Sequence, residues 1–390
     1  MGLLLATSPP AQAFDTTWDV SLYAYPEHRS LADSSVLNPG NQIARLAETT
    51  YTSEARLNLR LANDDFRLTL RPILTWQQAD GADQGTGYLA QALVRLPLSE
   101  QTALLAGREV QNWGPAQFRS PASPFYFDNG RSNPLRELTG VDGARLAWTP
   151  DRQWGLSLGW NQDRGRDSDA DDPWRDAWLL KMDRRGDDWA AGLVLAQARD
   201  QNPFAGFHVQ KSLDEAWLIY GEVASSTRSN ALVSPANPAL PFSIADESGR
   251  QATGLLGVTR TLENGQSLTL EFLYDGHGFS REQTAALFSR SAANPAAAGM
   301  ALSHLPPLLN RHYLHAIWQS NFLDGDDYWR LMASHNLDDH STELAGYGEH
   351  AVNGRLSLFA LGVWNQGGPR GEFASLLERS LTLGLRLALP

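Results

Sequence analysis

Most basic residues of this sequence are arginine. Many of these arginines lie in segments in which polar and apolar residues alternate, and there they occupy the polar positions. Of 32 basic residues, all but Lys181 and Lys211 are arginine. Five lie close together along the chain: Arg56, Arg60, Arg67, Arg71 and Arg95. A guanidinium stays charged and offers a planar fork of donors to carboxylates and phosphates, so a wall of them would attract anions. Alternatively, the same arginines pair with carboxylates and only stiffen the structure, and the sequence favours neither interpretation.

A second group of polar and aromatic residues lies in GREVQNWGPAQFRSPASPFYFDNGRSNPLREL, residues 107–138. Its four prolines fix φ and bias each preceding residue toward extended geometry. Its aromatic residues need a surface to pack against, which predicts a rigid segment folded into a larger structure. The predicted pore-lining or substrate-binding residues are the five arginines above together with Trp113, Arg119, Phe125, Tyr126, Arg131, Arg136 and Arg145.

Known catalytic and metal-binding motifs are missing from the sequence. It contains no His-Glu-x-x-His or Gly-x-x-x-x-Gly-Lys pattern and no cysteine, and its Gly-x-Ser-x-Gly match, Gly155 to Gly159, lies within an alternating strand segment and not at a strand-to-helix elbow. Asp167, Asp169 and Asp171 have the spacing of a calcium loop, but Asp172 and Trp178 replace the required Gly and Glu. The sequence therefore predicts no enzymatic activity, no cofactor and no metal site, and a solvated acidic loop around Asp169.

Composition limits the class of partner. The 390 residues have a net charge of −12, which argues against binding to nucleic acid. The mean hydropathy is −0.35, and no apolar run reaches the roughly 20 residues of a membrane-spanning helix. A short apolar leader ends in Ala11-Gln12-Ala13, a small-x-small pattern of signal-peptide cleavage. We expect residues 1–13 to be the remnant of a signal peptide and the mature chain to begin at Phe14.

Alternation with a period of two runs from one end of the chain to the other. In SLTLGLRLAL, five leucines between Leu381 and Leu389 face one side, while Thr382, Gly384 and Arg386 face the other. Such segments are strands with one apolar and one polar face. We count about 18 of them (16–18), each of roughly ten residues. Tryptophans lie near many strand ends: Trp18, Trp148, Trp154, Trp160, Trp189, Trp329 and Trp364.

Short and long connections alternate between these strands. Tight Asn-Gly and Asp-Gly turns alternate with long segments, among them 28–50, 113–139, 163–176, 228–251 and 280–310. A soluble sandwich would not keep an apolar outer face through so many strands, and a propeller would show a repeat of about 45 residues. We therefore predict one all-β domain over 14–390, a single antiparallel transmembrane β-barrel of the bacterial outer membrane. Its long extracellular loops would include 277–310, with a short helix, and 113–139 would fold into the lumen as a constriction.

The segment from Gly107 to about Trp148 resembles a known group of barrels. Trp113, Gly114 and Pro115 follow a Gly-Arg strand and precede an SP…NP stretch and a return strand. This pattern is similar to that of Wzi-type capsule-assembly barrels and, more loosely, alginate-export barrels. The resemblance implies an outer-membrane barrel that handles a surface polysaccharide, either as an export conduit or as an attachment site. Only Trp113, Gly114 and Pro115 match by position.

Three functions are compatible with these observations. The first is a channel or anchoring barrel for export or attachment of a surface or secreted polysaccharide. The second is a diffusion porin for small anionic solutes, and the third is a structural barrel that docks a periplasmic partner such as a lipoprotein or electron carrier. The expected partners are outer-membrane lipid and lipopolysaccharide, a polysaccharide or anionic solute, and a periplasmic secretion partner, with no nucleic acid.

Overall fold

The chain folds into one closed β-barrel, seen in a computed structural model that describes residues 14–163, 174–199, 201–321 and 325–389. The expected signal segment and the acidic stretch around Asp169 lie outside these residues. The first half of the chain forms β1 (Asp15–Leu31), β2 (Thr49–Ala62), β3 (Arg67–Ala79), β4 (Ala82–Pro97), β5 (Thr102–Glu109), β6 (Val141–Trp148), β7 (Trp154–Asp163), β8 (Ala177–Arg185) and β9 (Trp189–Ala198).

The second half continues the barrel and adds elements outside it. It forms β10 (Phe204–Ser212), β11 (Trp217–Ser226), β12 (Ser229–Val233), β13 (Ser243–Glu247), β14 (Gln251–Thr261), β15 (Ser267–Asp275), α1 (Arg281–Ala293), α2 (Pro295–His304), β16 (His312–Gln319), β17 (Asp327–Asn336), β18 (Thr342–Ala351), β19 (Leu356–Gln366) and β20 (Leu377–Leu389). A 3-10 turn spans Pro39–Asn41. No helix of the described residues is long and apolar enough to cross a membrane.

Eighteen strands pair antiparallel around the barrel, which confirms the predicted fold class. The barrel closes between its first and last strands, where Val20 lies opposite Leu389 and Arg29 lies opposite Ser380. Closure leaves no unpaired edge, so the backbone polar groups of the strands are satisfied within the sheet. The remaining pair, β12 and β13, forms a separate hairpin.

The apolar face of each strand points away from the lumen. On β20, Leu381, Leu383 and Leu385 are 50%, 51% and 41% exposed, whereas Thr382 between them is 4% exposed. Exposed tryptophans lie at both strand ends, including Trp148 at one end and Trp364 at the other. An apolar wall bounded by aromatic residues is the exterior of an outer-membrane barrel, which is the predicted location.

The two ends of the barrel differ in the length of their connections. At one end, here the turn end, residues 63–66, 98–101, 149–153 and 213–216 join strands by tight turns. At the other, the loop end, the segments 32–48, 110–140, 227–250 and 276–311 are long. In barrels of this kind the turn end faces the periplasm and the loop end faces the outside.

Several long loops pack together as a cap at the loop end. Phe279, Leu287 and Phe288 bury their side chains against Leu37 and Leu232 in one apolar cluster. The sequence predicts a short helix in this region, and the structure has two, α1 and α2, as well as the β12–β13 hairpin. The α1 N-terminus is fixed by a capping box formed by Ser280 and Gln283.

A partly buried carboxylate fastens three of these loops. Glu372, between β19 and β20, accepts hydrogen bonds from the Leu309 amide (2.9 Å), the Asn336 side chain (2.7 Å) and the Tyr313 hydroxyl (2.5 Å). Its own amide donates to Asp339 at 2.7 Å. Removal from water raises the pKa of Glu372 to about 7, and these hydrogen bonds offset the shift only in part.

The attachment of these loops should therefore depend on pH. Because the pKa of Glu372 rises from 4.5 to about 7 on folding, the folded loops retain a proton between these values that the unfolded chain has lost. Loop stability is greatest below this window, falls as pH rises through it, and levels off above it. We expect the Leu309 amide, corrected for intrinsic rate, to exchange hydrogen roughly tenfold or more faster at pH 8 than at pH 5. Glu372→Gln should abolish the difference and the exposed control Glu378→Gln should keep it; equal protection of the wild type at both pH values would contradict this.

Candidate functional site

Residues 110–140, here called the constriction loop, fold into the barrel rather than over its rim. Ala116 and Ser120 have no exposed surface, and Phe118 is 2% exposed. A buried segment without regular structure must find partners for its backbone N–H and C=O groups elsewhere. The barrel wall provides those partners.

Two buried glutamates of the wall bind the backbone of the constriction loop. Glu222, on the lumen face of β11, accepts hydrogen bonds from the amides of Ala116 (2.9 Å) and Ala122 (3.0 Å) and from the Ser120 hydroxyl (2.7 Å). Glu271, on β15, accepts from the amides of Gln117 (2.6 Å) and Phe118 (2.8 Å). Both glutamates are 1% exposed.

Glu271 also accepts a hydrogen bond from another residue of the barrel wall. The Tyr220 hydroxyl, on the lumen face of β11, donates to it at 2.6 Å. Each carboxylate oxygen of Glu222 and Glu271 accepts at least one of these hydrogen bonds, so together the contacts fix the loop firmly.

Gly114 explains the Trp-Gly-Pro sequence. Its φ is +91°, and a Cβ placed on it would lie 2.3 Å from a carboxylate oxygen of Glu222. Only glycine permits both this conformation and this approach. Beside it, Trp113 packs edge-to-face on Phe125 and lies under the Lys181 ammonium, 5.5 Å from the ring centre.

The far end of the constriction loop is bound to the opposite wall by ion pairs. Glu137 accepts from Arg56 on β2 and from Arg71 on β3, each at 2.9 Å. Arg56 also pairs with Glu54 on its own strand and donates to the Leu135 carbonyl. The loop thus bridges the lumen from the β11–β15 wall to the β2–β3 wall.

The other predicted residues within the loop mostly support its own structure. Arg131 donates to the Ala116 carbonyl, and Arg119 donates to the Phe118 carbonyl and lies over the Phe118 ring at 4.5 Å. Phe125 and Tyr126 are 3% and 7% exposed, so little of either ring is available to a solute. Arg136 is half exposed and pairs with Asp128.

The remaining predicted arginines lie on the lumen face of the strands but differ in their partners. Arg145 pairs with Glu109 (2.5 Å) and donates to Ser157. Arg60, Arg67 and Arg95 are exposed near the turn end, and none of them forms an ion pair or a side-chain hydrogen bond with any described residue. Arg67 lies directly opposite Arg95 on the neighbouring strand. We call these three the mouth arginines.

Cavities lie on both sides of the constriction loop. The outer one, of about 600 Å³, is lined by loop residues such as Tyr126 and Arg136 and by Arg228 and His277. Arg228 forms no side-chain hydrogen bond or ion pair among the described residues. The inner one, of about 620 Å³, lies at the turn end and is lined by Gly114, Asp183 and His208.

Sequence reasoning missed the residues that hold the loop. The pore-lining residues predicted from the sequence do not include Glu222, Glu271 or Glu137. The available signal was a carboxylate at a lumen position between apolar neighbours, as in IYGEVA and LTLEFL. No group of three or more His, Asp or Glu side chains in the described ranges could hold a metal ion.

Comparison with known proteins relates the chain by fold. No protein-family model and no curated protein matches the sequence. Pseudomonas aeruginosa OccK5 (OpdH) superposes with a TM-score of 0.58 at 12% identity, covering 96% of this chain and 99% of that one. Acinetobacter baumannii OccAB3 gives 0.57 at 10% (96% and 99%), and Pseudomonas aeruginosa OprD gives 0.54 at 11% (96% and 95%).

The predicted resemblance to Wzi-type and alginate-export barrels is wrong. The structural neighbours are OprD and Occ barrels. The resemblance rested on Trp113-Gly114-Pro115, and the structure gives this tripeptide a local cause, since Gly114 must approach Glu222. Because Gly114 has this local cause, the motif does not by itself indicate capsule assembly.

Release of the constriction loop should change conduction. In Glu222→Ala/Glu271→Ala, five hydrogen bonds from the loop are lost, each worth about 1.5–3 kcal/mol where the acceptor is charged. We expect the single-channel conductance in planar bilayers to rise by about twofold or more and to become noisier as the loop leaves its seat. Glu349→Ala, which removes a lumen carboxylate paired with Arg386, is the control. A double variant that conducts like the wild type would show that the loop is held by other contacts.

Proposed function

We propose that this barrel is a passive channel for small anionic solutes across the bacterial outer membrane. The observation that supports this most directly is the group of mouth arginines, which are exposed on the lumen wall and unpaired among the described residues. An unpaired guanidinium in a water-filled lumen attracts anions and repels cations.

Several lumen carboxylates are already occupied. Glu54, Glu109, Glu137, Asp183 and Glu349 each form an ion pair, and Glu222 and Glu271 accept hydrogen bonds from the constriction loop. Near the mouth arginines, Asp19 accepts a hydrogen bond from Asn58 and forms no ion pair with them. At the loop end, Arg228 forms no ion pair with any described residue, although the Asp275 carboxylate lines the same cavity. Cations without an ion-pair partner among the described residues thus lie on both sides of the constriction loop.

The size of the spaces indicates small solutes. The outer and inner cavities, of about 600 and 620 Å³, fall in the range of sites that hold small molecules. The barrels that this chain resembles are outer-membrane porins, which supports transport by diffusion. The export or attachment of a polysaccharide has no such support.

Transport of this kind requires no chemistry from the protein. An anion entering the outer cavity would meet Arg136 and Arg228, pass the constriction loop, and leave past the mouth arginines. The mouth arginines are exposed to water and Arg136 is already paired with Asp128, so binding at these contacts stays weak enough for release, which conduction requires. Arg56, Arg71 and Arg145 would act indirectly, because their ion pairs shape the lumen and neutralise its carboxylates.

Removal of the mouth arginines should reduce anion selectivity. We expect Arg60→Gln/Arg67→Gln/Arg95→Gln to lower the ratio of anion to cation permeability by about threefold or more at low salt, measured as a shift of the reversal potential across a KCl gradient. The effect should shrink as the salt concentration rises, because screening shortens the reach of these charges.

A matched control changes the same charge at the same end of the barrel. Arg152 and Arg355 lie in turns and Arg260 lies on the outer face of β14, so Arg152→Gln/Arg260→Gln/Arg355→Gln should leave selectivity unchanged. Liposome swelling supplies a second measurement, in which a small carboxylate should enter faster than a neutral solute of equal size. A wild-type barrel that does not conduct, or a mouth variant with unaltered selectivity, would contradict the proposal.

A further inference from the structure

The outer face of the barrel has a groove between β14 and β20. Its volume is about 960 Å³, and its lining is almost entirely apolar. The floor is made of small residues on four neighbouring strands, Ala316, Ala333, Gly346 and Gly362. We call this the outer groove.

Strand register explains the shape of the outer groove. Ala316 lies opposite Ala333, and Gly346 lies opposite Gly362, so two pairs of small residues lie side by side across the sheet. Large residues border them on the same face. Trp318, Leu331, Leu344 and Trp364 are 43%, 49%, 39% and 61% exposed.

The barrel itself does not require glycine at these positions. A Cβ on Gly362 would have no neighbour within 4 Å, and one on Gly346 would meet only the end of the Leu331 side chain at 3.4 Å. Neither glycine has a positive φ. Larger side chains at these positions could fill the outer groove without disturbing the fold. The volume of the groove is therefore available for another molecule.

An arginine lies at each end of the outer groove: Arg260 at the turn end, stacked on Trp217, and Arg379 at the end that faces outside. Arg379, the third residue of β20, lies opposite Trp364 on the outer face at the loop end. It is exposed and forms no ion pair among the described residues. An outward-facing arginine above an apolar groove suits an amphiphile with an anionic head and a hydrocarbon tail. The loop end is the side of the outer leaflet.

We propose that the outer groove binds an acyl chain of a phosphorylated outer-leaflet lipid whose phosphate contacts Arg379. Gly346 and Gly362 make room for the chain, and the bordering tryptophans and leucines cover its sides. A second copy of the barrel fits less well, because a two-fold contact through this face would place one groove against another. The site is independent of the lumen and of the solute that passes through it.

Native mass spectrometry of the detergent-solubilised full chain with added diphosphoryl lipid A tests this proposal. We expect the wild type to retain one lipid A per barrel at low lipid concentration. Gly346→Leu/Gly362→Leu should fill the groove and weaken retention by about tenfold, as overpacking of a fitted site does. Arg379→Gln should weaken it by about tenfold through loss of a charge-assisted contact, and dephosphorylated lipid A should bind the wild type no better than the variant.

A glycine elsewhere on the same outer face provides the control. Gly254 lies on β14 outside the groove, and a Cβ there would meet nothing closer than 3.7 Å, so Gly254→Leu should retain lipid A like the wild type. Resistance to unfolding in detergent verifies that each variant is a closed barrel. Lipid retention unchanged in the double glycine variant would overturn the proposal. So would an oligomeric wild type that the same variant converts to monomers, because the groove would then be a contact between copies.

Discussion

The backbone amides of the constriction loop can be buried because carboxylates of the barrel wall accept their hydrogen bonds. Without Glu222 and Glu271, the loop would leave unsatisfied donors in the barrel, each of which costs about 1–3 kcal/mol. The attachment of the loop to these two glutamates determines where the loop crosses the lumen. It therefore also determines where the outer and inner cavities lie. The loop in turn delivers Glu137 to the opposite wall, where it neutralises Arg56 and Arg71.

Pairing divides the lumen arginines into two kinds. Arg56, Arg71 and Arg145 are held by carboxylates and contribute to the shape of the lumen. Arg60, Arg67 and Arg95 are left exposed near the turn end, where their charge acts on whatever enters the water-filled space. The two readings offered by the sequence, stiffening and anion attraction, thus apply to different residues of one wall: ion pairs hold the first group, and attraction of anions by the second is the proposal. For Arg56 and Arg71 this separation depends on which strand positions the loop can reach, whereas Arg145 is held by Glu109 of β5.

The sequence predicted the barrel well because strand alternation is a local signal. The period of two in segments such as 381–389 defines the two faces, and short turns alternate with long loops along the chain. The loop seat could not be predicted in the same way, since Glu222 and Glu271 lie 106 and 154 residues from loop amides that they accept from. The β12–β13 hairpin and helix α2 were not predicted either. Their apolar residues pack on each other and do not follow the alternating pattern of a barrel strand. The predicted family resemblance is wrong because Trp113, Gly114 and Pro115 have a local structural cause and are not a functional motif.

The distance in sequence between the constriction loop and its seat has a consequence for the assembly of the barrel. The loop emerges between β5 and β6, but its acceptors arrive only with β11 and β15, and the wall closes only when β20 meets β1. Contacts between such distant residues form late, since the chain entropy of a large loop must be lost first. The loop can therefore take its final position only once β11 and β15 are in place, which makes its insertion a late step of assembly. A chain that completed the wall without this step would be a closed barrel with a wider lumen.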